Sequence, residues 1–106
     1  MKQNFSQHLD RGERYDIKEL LNRLDFADLL VSRYKAKLIR RSASGYMCRC
    51  LFPDHEDRTP SFSVDLFKKL YHCFGCGRGG NAIHLIMELE DRSFKEALTI
   101  LNSYRR

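Results

Sequence analysis

The chain has 106 residues, of which 42% are hydrophobic and 31% charged, a composition typical of one small globular domain and not of a disordered or fibrous protein. Lysine and arginine number 19 against 14 acidic residues, and the formal net charge of +5 favours a polyanionic partner. The sequence shows neither a long apolar run nor a secretory signal pattern, so we expect a cytoplasmic protein.

The N-terminal part is predicted to be a flexible arm followed by short helices. Residues 1–14 are polar and mixed in charge, so we expect an arm there and a folded domain over residues 15–106. Asp16 is suited to cap the first helix, and a second short amphipathic helix is predicted to follow. The apolar residues at helical spacing are Ile17, Leu20, Leu21, Leu24, Phe26, Leu29 and Leu30.

The middle of the chain alternates between apolar and polar residues, as β-strands do. Residues 34–41 predict a strand with a basic outer face, and the small residues 42–45 predict a turn into a strand over 46–50. Residues 61–65 and 70–72 predict two further strands. Together these segments predict a small antiparallel sheet of the zinc-ribbon type.

Two helices are predicted after the sheet. Asn81 is a suitable cap for a helix over residues 82–90, whose apolar residues cover much of its circumference. Ser93 and Glu96 have the spacing of a capping box that begins a last helix. The predicted fold class is therefore α+β, with a zinc-ribbon-like antiparallel sheet flanked by N- and C-terminal helices.

Cysteine and histidine residues form two closely spaced pairs, Cys50 with His55 and Cys73 with Cys76. Three thiolates and one imidazole are the ligands of a tetrahedral structural zinc site, so we predict one Zn²⁺ per chain. Disulfides are disfavoured because a reducing compartment keeps thiols free. A redox motif at Cys73 and Cys76 is disfavoured because glycines follow it and a first ligand pair lies upstream.

Other cysteine and histidine residues compete for the site. Cys48 lies two residues before Cys50, and we favour Cys50 as the ligand because its loop can return to the metal through His55. His72 precedes Cys73, but neighbouring strand residues point to opposite faces, so both are not expected to reach one ion. His84 lies within an apolar helix, where a structural role is expected.

The sequence around these ligands forms a specific motif. It runs from Tyr46 through Cys50 and His55 to Thr-Pro-Ser-Phe at residues 59–62, and continues with Tyr-His-Cys-Phe-Gly-Cys-Gly at residues 71–77. This motif closely resembles the N-terminal zinc-binding domain of bacterial and phage DNA primases. The resemblance covers about residues 15–102 and implies the same four zinc ligands. Four residues separate Cys50 from His55, where the family commonly has two.

The resemblance implies template binding in aid of a separate catalytic partner, a DNA polymerase or primase core or a replicative helicase. No carboxylate cluster suited to nucleotidyl transfer is evident in the sequence, so we expect no catalytic residue in this chain. Cations and aromatic rings near the metal loops would bind single-stranded DNA through phosphate contacts and base stacking. The predicted nucleic-acid-binding residues are Arg58, Lys68, Lys69, Tyr71, His72, Phe74 and Arg78.

Two alternatives to this function stay open from the sequence. The chain could be a truncated piece of a full primase whose catalytic part lies elsewhere. It could also be a stand-alone zinc-finger regulator or protein-interaction domain of a phage or mobile element. Preference for a specific duplex over single-stranded DNA would favour the regulator.

Overall fold

A computed structural model describes residues 16–53 and 60–106, which form a five-stranded antiparallel sheet and helices packed against one of its faces. The strands follow each other in the sheet in chain order, so every pair of neighbours is joined by a local connection. The predicted α+β class is confirmed. The strands are β1 (Arg40–Arg41), β2 (Gly45–Cys48), β3 (Phe62–Asp65), β4 (Leu70–Cys73) and β5 (Gly79–Asn81).

The N-terminal helices begin at aspartates that cap them. Asp16 accepts a hydrogen bond from the backbone N–H of Glu19 at 3.2 Å and begins α1 (Ile17–Arg23), as the sequence predicted. Asp25 caps α2 (Phe26–Asp28) through the backbone N–H of Asp28 at 3.1 Å. A single π-helical turn (Leu29–Arg33) continues α2 and buries Leu29 and Leu30.

The two C-terminal helices begin at the predicted caps, and both caps are capping boxes, which the sequence predicted only for the last helix. The side chain of Asn81 accepts hydrogen bonds from the N–H groups of Ile83 and His84 at the start of α3 (Ala82–Glu90). His84 Nδ1 in turn accepts from the backbone N–H of Asn81 at 3.2 Å, which confirms the structural role expected for this histidine. At the start of α4 (Phe94–Asn102), the Ser93 hydroxyl accepts a hydrogen bond from the backbone N–H of Glu96, and the Glu96 carboxylate accepts one from the backbone N–H of Ser93.

The strand predicted over residues 34–41 is confirmed only at Arg40 and Arg41. The helical segment extends to Arg33, and Lys35 then adopts a left-handed conformation with φ 58° that turns the chain away from the helix. The N–H of Ala36 donates to the carbonyl of Leu30 at 3.0 Å, so this segment is held as a helix terminus. Alternating polarity alone did not distinguish this arrangement from a strand.

Strand β5 was not predicted, because glycine is depleted in strands and was interpreted as part of a metal-binding turn. Its backbone pairs with β4 along the register Tyr71↔Gly80 and His72↔Gly79. Gly79 lies beneath the His72 imidazole, and a Cβ at this position would approach His72 Nδ1 to 2.9 Å. A side chain at residue 79 would therefore displace the His72 ring from this position.

The strand register assigns side chains to two faces of the sheet. Cys48, Phe62 and Cys73 lie opposite one another and are buried against the helices, as are Val64 and Tyr71 in the adjacent row. We call this the inner face. The opposite outer face carries a row made of Arg40, Met47, Ser63 and His72, and Leu70 lies in the row beside it.

The expected flexible arm at residues 1–14 lies outside the described residues, and so does the start of the domain predicted at residue 15. Among the described helices, none combines the length and the apolar character needed to cross a lipid bilayer.

Candidate metal centre and outer sheet face

Three cysteine thiols meet at one end of the sheet. Cys50 follows β2, Cys73 is the last residue of β4, and Cys76 lies in the turn between β4 and β5. Their sulfur atoms all lie within 4.8 Å of one another, and Sγ of Cys50 is 3.9 Å from Sγ of Cys76. Two connections of the sheet thereby bring together three of the four predicted ligands.

The turn that contains Cys76 is shaped by backbone hydrogen bonds. The N–H of Gly77 donates to the carbonyl of Cys73 at 2.8 Å, and the N–H of Cys73 donates to the carbonyl of Arg78 at 2.8 Å. Gly77 has φ 80°, a conformation that glycine adopts without steric penalty. The tight turn returns Cys76 toward Cys73 and then continues into β5.

The surroundings of the cluster shift the pKa values of Cys73 and Cys50 in opposite directions. Burial disfavours the thiolate of Cys73, but the N–H groups of Cys76 and Gly75 and the hydroxyl of Ser61 outweigh that effect and lower the pKa of Cys73 to about 7. Burial raises the pKa of Cys50 to about 12 in the metal-free protein, although the N–H of Phe52 partly opposes the rise. We therefore expect Cys73 to form its thiolate more readily than Cys50 does.

The thiol geometry fits a tetrahedral zinc ion. Zinc–sulfur bonds of about 2.3 Å place two sulfur ligands about 3.8 Å apart, close to the 3.9 Å between the Cys50 and Cys76 sulfurs. Cys48 is buried beside Phe62 on the inner face and does not belong to the group of three. The predicted fourth ligand, His55, lies outside the described residues, so its role stays a prediction.

Arg78 links the thiols to the helical layer. Its guanidinium lies 4.4 Å from the ring centroid of Phe52 and donates to Sγ of Cys76 at 3.6 Å. Arg78 also lies 3.9 Å from the carboxylate of Glu88 in α3. Three thiolates around one Zn²⁺ with a neutral histidine would carry a net charge of −1, which this guanidinium is placed to offset.

His72 and Phe74 form an aromatic pair beside the metal centre. Their ring centroids are 4.6 Å apart in an edge-to-face arrangement, and Phe74 is 70% exposed. His72 projects from the outer face next to Ser63, and β4 ends immediately before Phe74. Both residues are exposed, so the two rings are accessible from solvent.

The other predicted nucleic-acid-binding residues are dispersed. Lys68 is exposed in the turn between β3 and β4, about 13 Å of strand away from the metal end. Lys69 is in the same turn but is only 9% exposed. Tyr71 is 3% exposed, with its ring stacked on Phe62, so we assign it to the core and not to an interface. Arg58 lies outside the described residues.

Arg40 is a candidate contact that sequence reasoning did not single out. It shares the outer-face row with Met47, Ser63 and His72. The alternation of residues 34–41 indicated a basic outer face, but only the strand register shows that Arg40 and His72 belong to the same surface.

Comparisons with known proteins agree with this arrangement. The family model described as CHC2 zinc finger matches residues 13–105. Over 82 residues, the chain is 40% identical to a DNA primase from Pseudomonas putida, covering 77% of this chain and 12% of the relative. A DNA primase from Helicobacter pylori is 44% identical over 82 residues, covering 77% of this chain and 14% of the relative.

A solved structure of the Aquifex aeolicus primase, comprising its zinc-binding and RNA polymerase domains, superposes with a TM-score of 0.66 at 37% identity. The match covers 86% of this chain and 22% of the Aquifex chain. The chain thus spans only a small part of the primases it resembles.

Zinc is the metal that this fold binds, and one ion per chain fits the three clustered thiols. The chain belongs to the CHC2 zinc finger family, as a zinc-binding domain of the DNA primase type.

Proposed function

We propose that this domain binds single-stranded DNA template on the outer face of its sheet and helps a separate catalytic partner to begin primer synthesis. The observation that carries the proposal is the exposed pair of His72 and Phe74 beside the thiol cluster. Unstacked bases bind to exposed aromatic rings with about 1 to 3 kcal/mol per base. Phe74 is 70% exposed, so its ring is available for such stacking.

Basic side chains on the same side of the molecule would contact the phosphates. Arg40 is separated from His72 by three strand spacings of about 4.8 Å, or about 14 Å, which leaves room for a strand of DNA between them. Arg40 and Arg49 are exposed, and no carboxylate among the described residues forms an ion pair with either. The net charge of +5 adds a long-range attraction for the polyanion.

Zinc would hold the aromatic surface in shape. Cys73 directly follows His72 and directly precedes Phe74, so a metal ion on the Cys73 sulfur restrains the backbone of both rings. We therefore propose Cys50, His55, Cys73 and Cys76 as the four ligands. Without metal, we expect the rings to lose their fixed separation and DNA binding to weaken.

Catalysis is assigned to a partner of this domain. Within the described residues, the cluster suited to a metal is the thiol group, which supplies no open oxygen-ligand site for the magnesium ions of nucleotidyl transfer. The proposed partner is a DNA polymerase or primase core, or a replicative helicase, in the cytoplasm. Binding template and presenting it to that partner is the contribution we propose for this domain.

Fluorescence anisotropy with a labelled single-stranded oligonucleotide tests the DNA-binding surface. We expect Phe74→Ala to weaken binding about 5- to 150-fold, the equivalent of one lost stacking interaction. Phe67→Ala is the matched control, because Phe67 is at least as exposed, at 79% against 70% for Phe74, but lies at the other end of β4. Raising the salt concentration should weaken binding of the unmodified protein with a log–log slope of about −0.7 per neutralised phosphate.

Three outcomes would contradict the proposal. Equal DNA affinity of Phe74→Ala and the unmodified protein would show that the aromatic pair does not contact the DNA. Tighter binding to a specific duplex would favour a regulatory zinc finger. Absence of binding to any nucleic acid would favour a purely protein-directed role.

A further inference from the structure

A groove of about 520 Å³ lies at the end of the sheet remote from the thiols. Its walls come from the junction of α1 and α2, from the turn between β3 and β4, and from the C-terminal residue Arg106. We call it the Lys69 groove. Its described lining residues include Asn22, Asp25, Phe26, Phe67, Lys69 and Arg106.

Lys69 is the unusual residue of this groove. It is only 9% exposed, and lysine is rarely buried to this extent without a charged partner. No carboxylate among the described residues lies within ion-pair distance of its ammonium group. Its backbone has φ 59°, a conformation that is uncommon for a residue with a side chain. Because no described carboxylate pairs with it, the ammonium group is available to an anion that enters the groove.

The neighbouring charges do not supply that anion. The carboxylate of Asp25 lies 3.6 Å from the Arg106 guanidinium, which uses it as an ion-pair partner. Arg106 is held in place because its backbone N–H donates to the carbonyl of Arg23 at 2.8 Å. Burial, and then repulsion by Arg106, lower the pKa of Lys69, although Asp25 and Asp65 oppose the change. Among the side chains of the described lining, the two cations Lys69 and Arg106 therefore outnumber the one carboxylate, Asp25.

The apolar part of the groove limits what the anion can be. Leu24, Phe26 and Leu66 line its walls, and the 79% exposed ring of Phe67 stands beside them. A volume of about 520 Å³ exceeds that of a bare phosphate and is in the range of small-molecule sites. The fitting ligand therefore combines an anionic group with a flat ring, and Asn22 adds an amide that can donate to and accept from the edge of that ring.

We propose that the Lys69 groove binds a mononucleotide, with its phosphates on Lys69 and Arg106 and its base against Phe67. This site is separate from the outer-face surface around Phe74. A free nucleotide and the end of a nucleic-acid strand both offer a phosphate group and a base, and the experiment distinguishes these two ligands.

Isothermal titration calorimetry of the zinc-loaded protein with ADP tests the proposal. We expect ADP to bind at one site per chain, and adenosine and inorganic pyrophosphate each to bind at least tenfold more weakly, because each retains only half of the interactions. Lys69→Gln should weaken ADP binding about tenfold or more, as expected when a hydrogen bond to a charged group is lost. Lys68→Gln is the matched control, because Lys68 is an adjacent, exposed lysine outside the groove lining.

Circular dichroism and zinc content establish that each variant is folded. Unchanged ADP affinity in a folded Lys69→Gln protein would overturn the proposal. An equal loss of ADP affinity in Lys68→Gln and Lys69→Gln would also overturn it. Phe67→Ala should weaken ADP binding and leave DNA binding intact, and Phe74→Ala should do the reverse. Displacement of ADP by a short unphosphorylated single strand would show that the groove belongs to the DNA surface and would also overturn the inference.

Discussion

Glu90, the last residue of α3, holds the N-terminal helical segment to the rest of the domain. Its carboxylate accepts two hydrogen bonds from the Arg33 guanidinium, at 2.6 and 2.7 Å, and a third from the Tyr34 hydroxyl at 2.6 Å. The side chain is only 17% exposed. A carboxylate held by three donors in a partly buried position is strongly stabilised as the anion.

The size of this stabilisation follows from the pKa of Glu90. The Arg33 guanidinium, followed by the Tyr34 hydroxyl, outweighs burial and lowers the pKa from 4.5 to about 2. A tenfold change in proton affinity corresponds to about 1.4 kcal/mol. The lowered pKa therefore means that ionised Glu90 contributes about 3 kcal/mol to the free energy of unfolding. Glu90→Gln should remove about 2 to 3 kcal/mol, because glutamine is neutral and keeps only part of the hydrogen bonding.

Urea unfolding of the zinc-loaded protein at pH 7 measures the effect. Glu19→Gln is the control, because its ion pair with Arg23 at 3.3 Å joins two side chains that are more than half exposed and should contribute less than about 0.5 kcal/mol. A loss below about 1 kcal/mol for Glu90→Gln, similar to the control, would refute the reasoning.

The pH dependence gives an independent check. Because the folded state has the lower pKa, the unfolded state binds protons first as the pH falls. The contribution of Glu90 is therefore complete above about pH 4.5 and is lost as the pH approaches about 2. The stability difference between the unmodified protein and Glu90→Gln should be constant from pH 7 to pH 5 and should narrow below that range. A difference that already narrows between pH 7 and pH 5 would contradict the assignment.

Two further predictions concern the metal and a helix cap. Elemental analysis should find about one zinc per chain in the unmodified protein and in Cys48→Ala, but substoichiometric zinc in Cys76→Ser. Loss of zinc in Cys48→Ala together with retention of zinc in Cys50→Ser would refute the ligand assignment. Ser93→Ala removes the hydroxyl that accepts the Glu96 N–H at 3.1 Å, and urea unfolding should show about 1 kcal/mol of destabilisation. Unchanged stability would show that α4 does not depend on this cap.

Local signals in the sequence determined where three of the helices begin and which metal the chain is suited to bind. Asp16, Asn81 and Ser93 begin their helices as predicted, because a capping side chain acts on backbone groups two or three residues away. The spacing of Cys73 and Cys76 likewise determined two of the three members of the thiol cluster within a single turn.

Tertiary structure decided which distant residues share a surface. The choice of Cys50 over Cys48 for the thiol cluster depends on how the chain after β2 approaches the end of β4, with β3 between the two strands, and the sequence favoured Cys50 without excluding Cys48. Tyr71 was predicted to contact nucleic acid, but it lies on the inner face because strand register assigns alternate residues to opposite faces. Lys68 and Lys69 are neighbours in sequence, yet only Lys69 is buried, because the turn directs one side chain to solvent and the other into a groove completed by Arg106. Burial of this kind depends on contacts between residues far apart in the chain, which local sequence patterns do not specify.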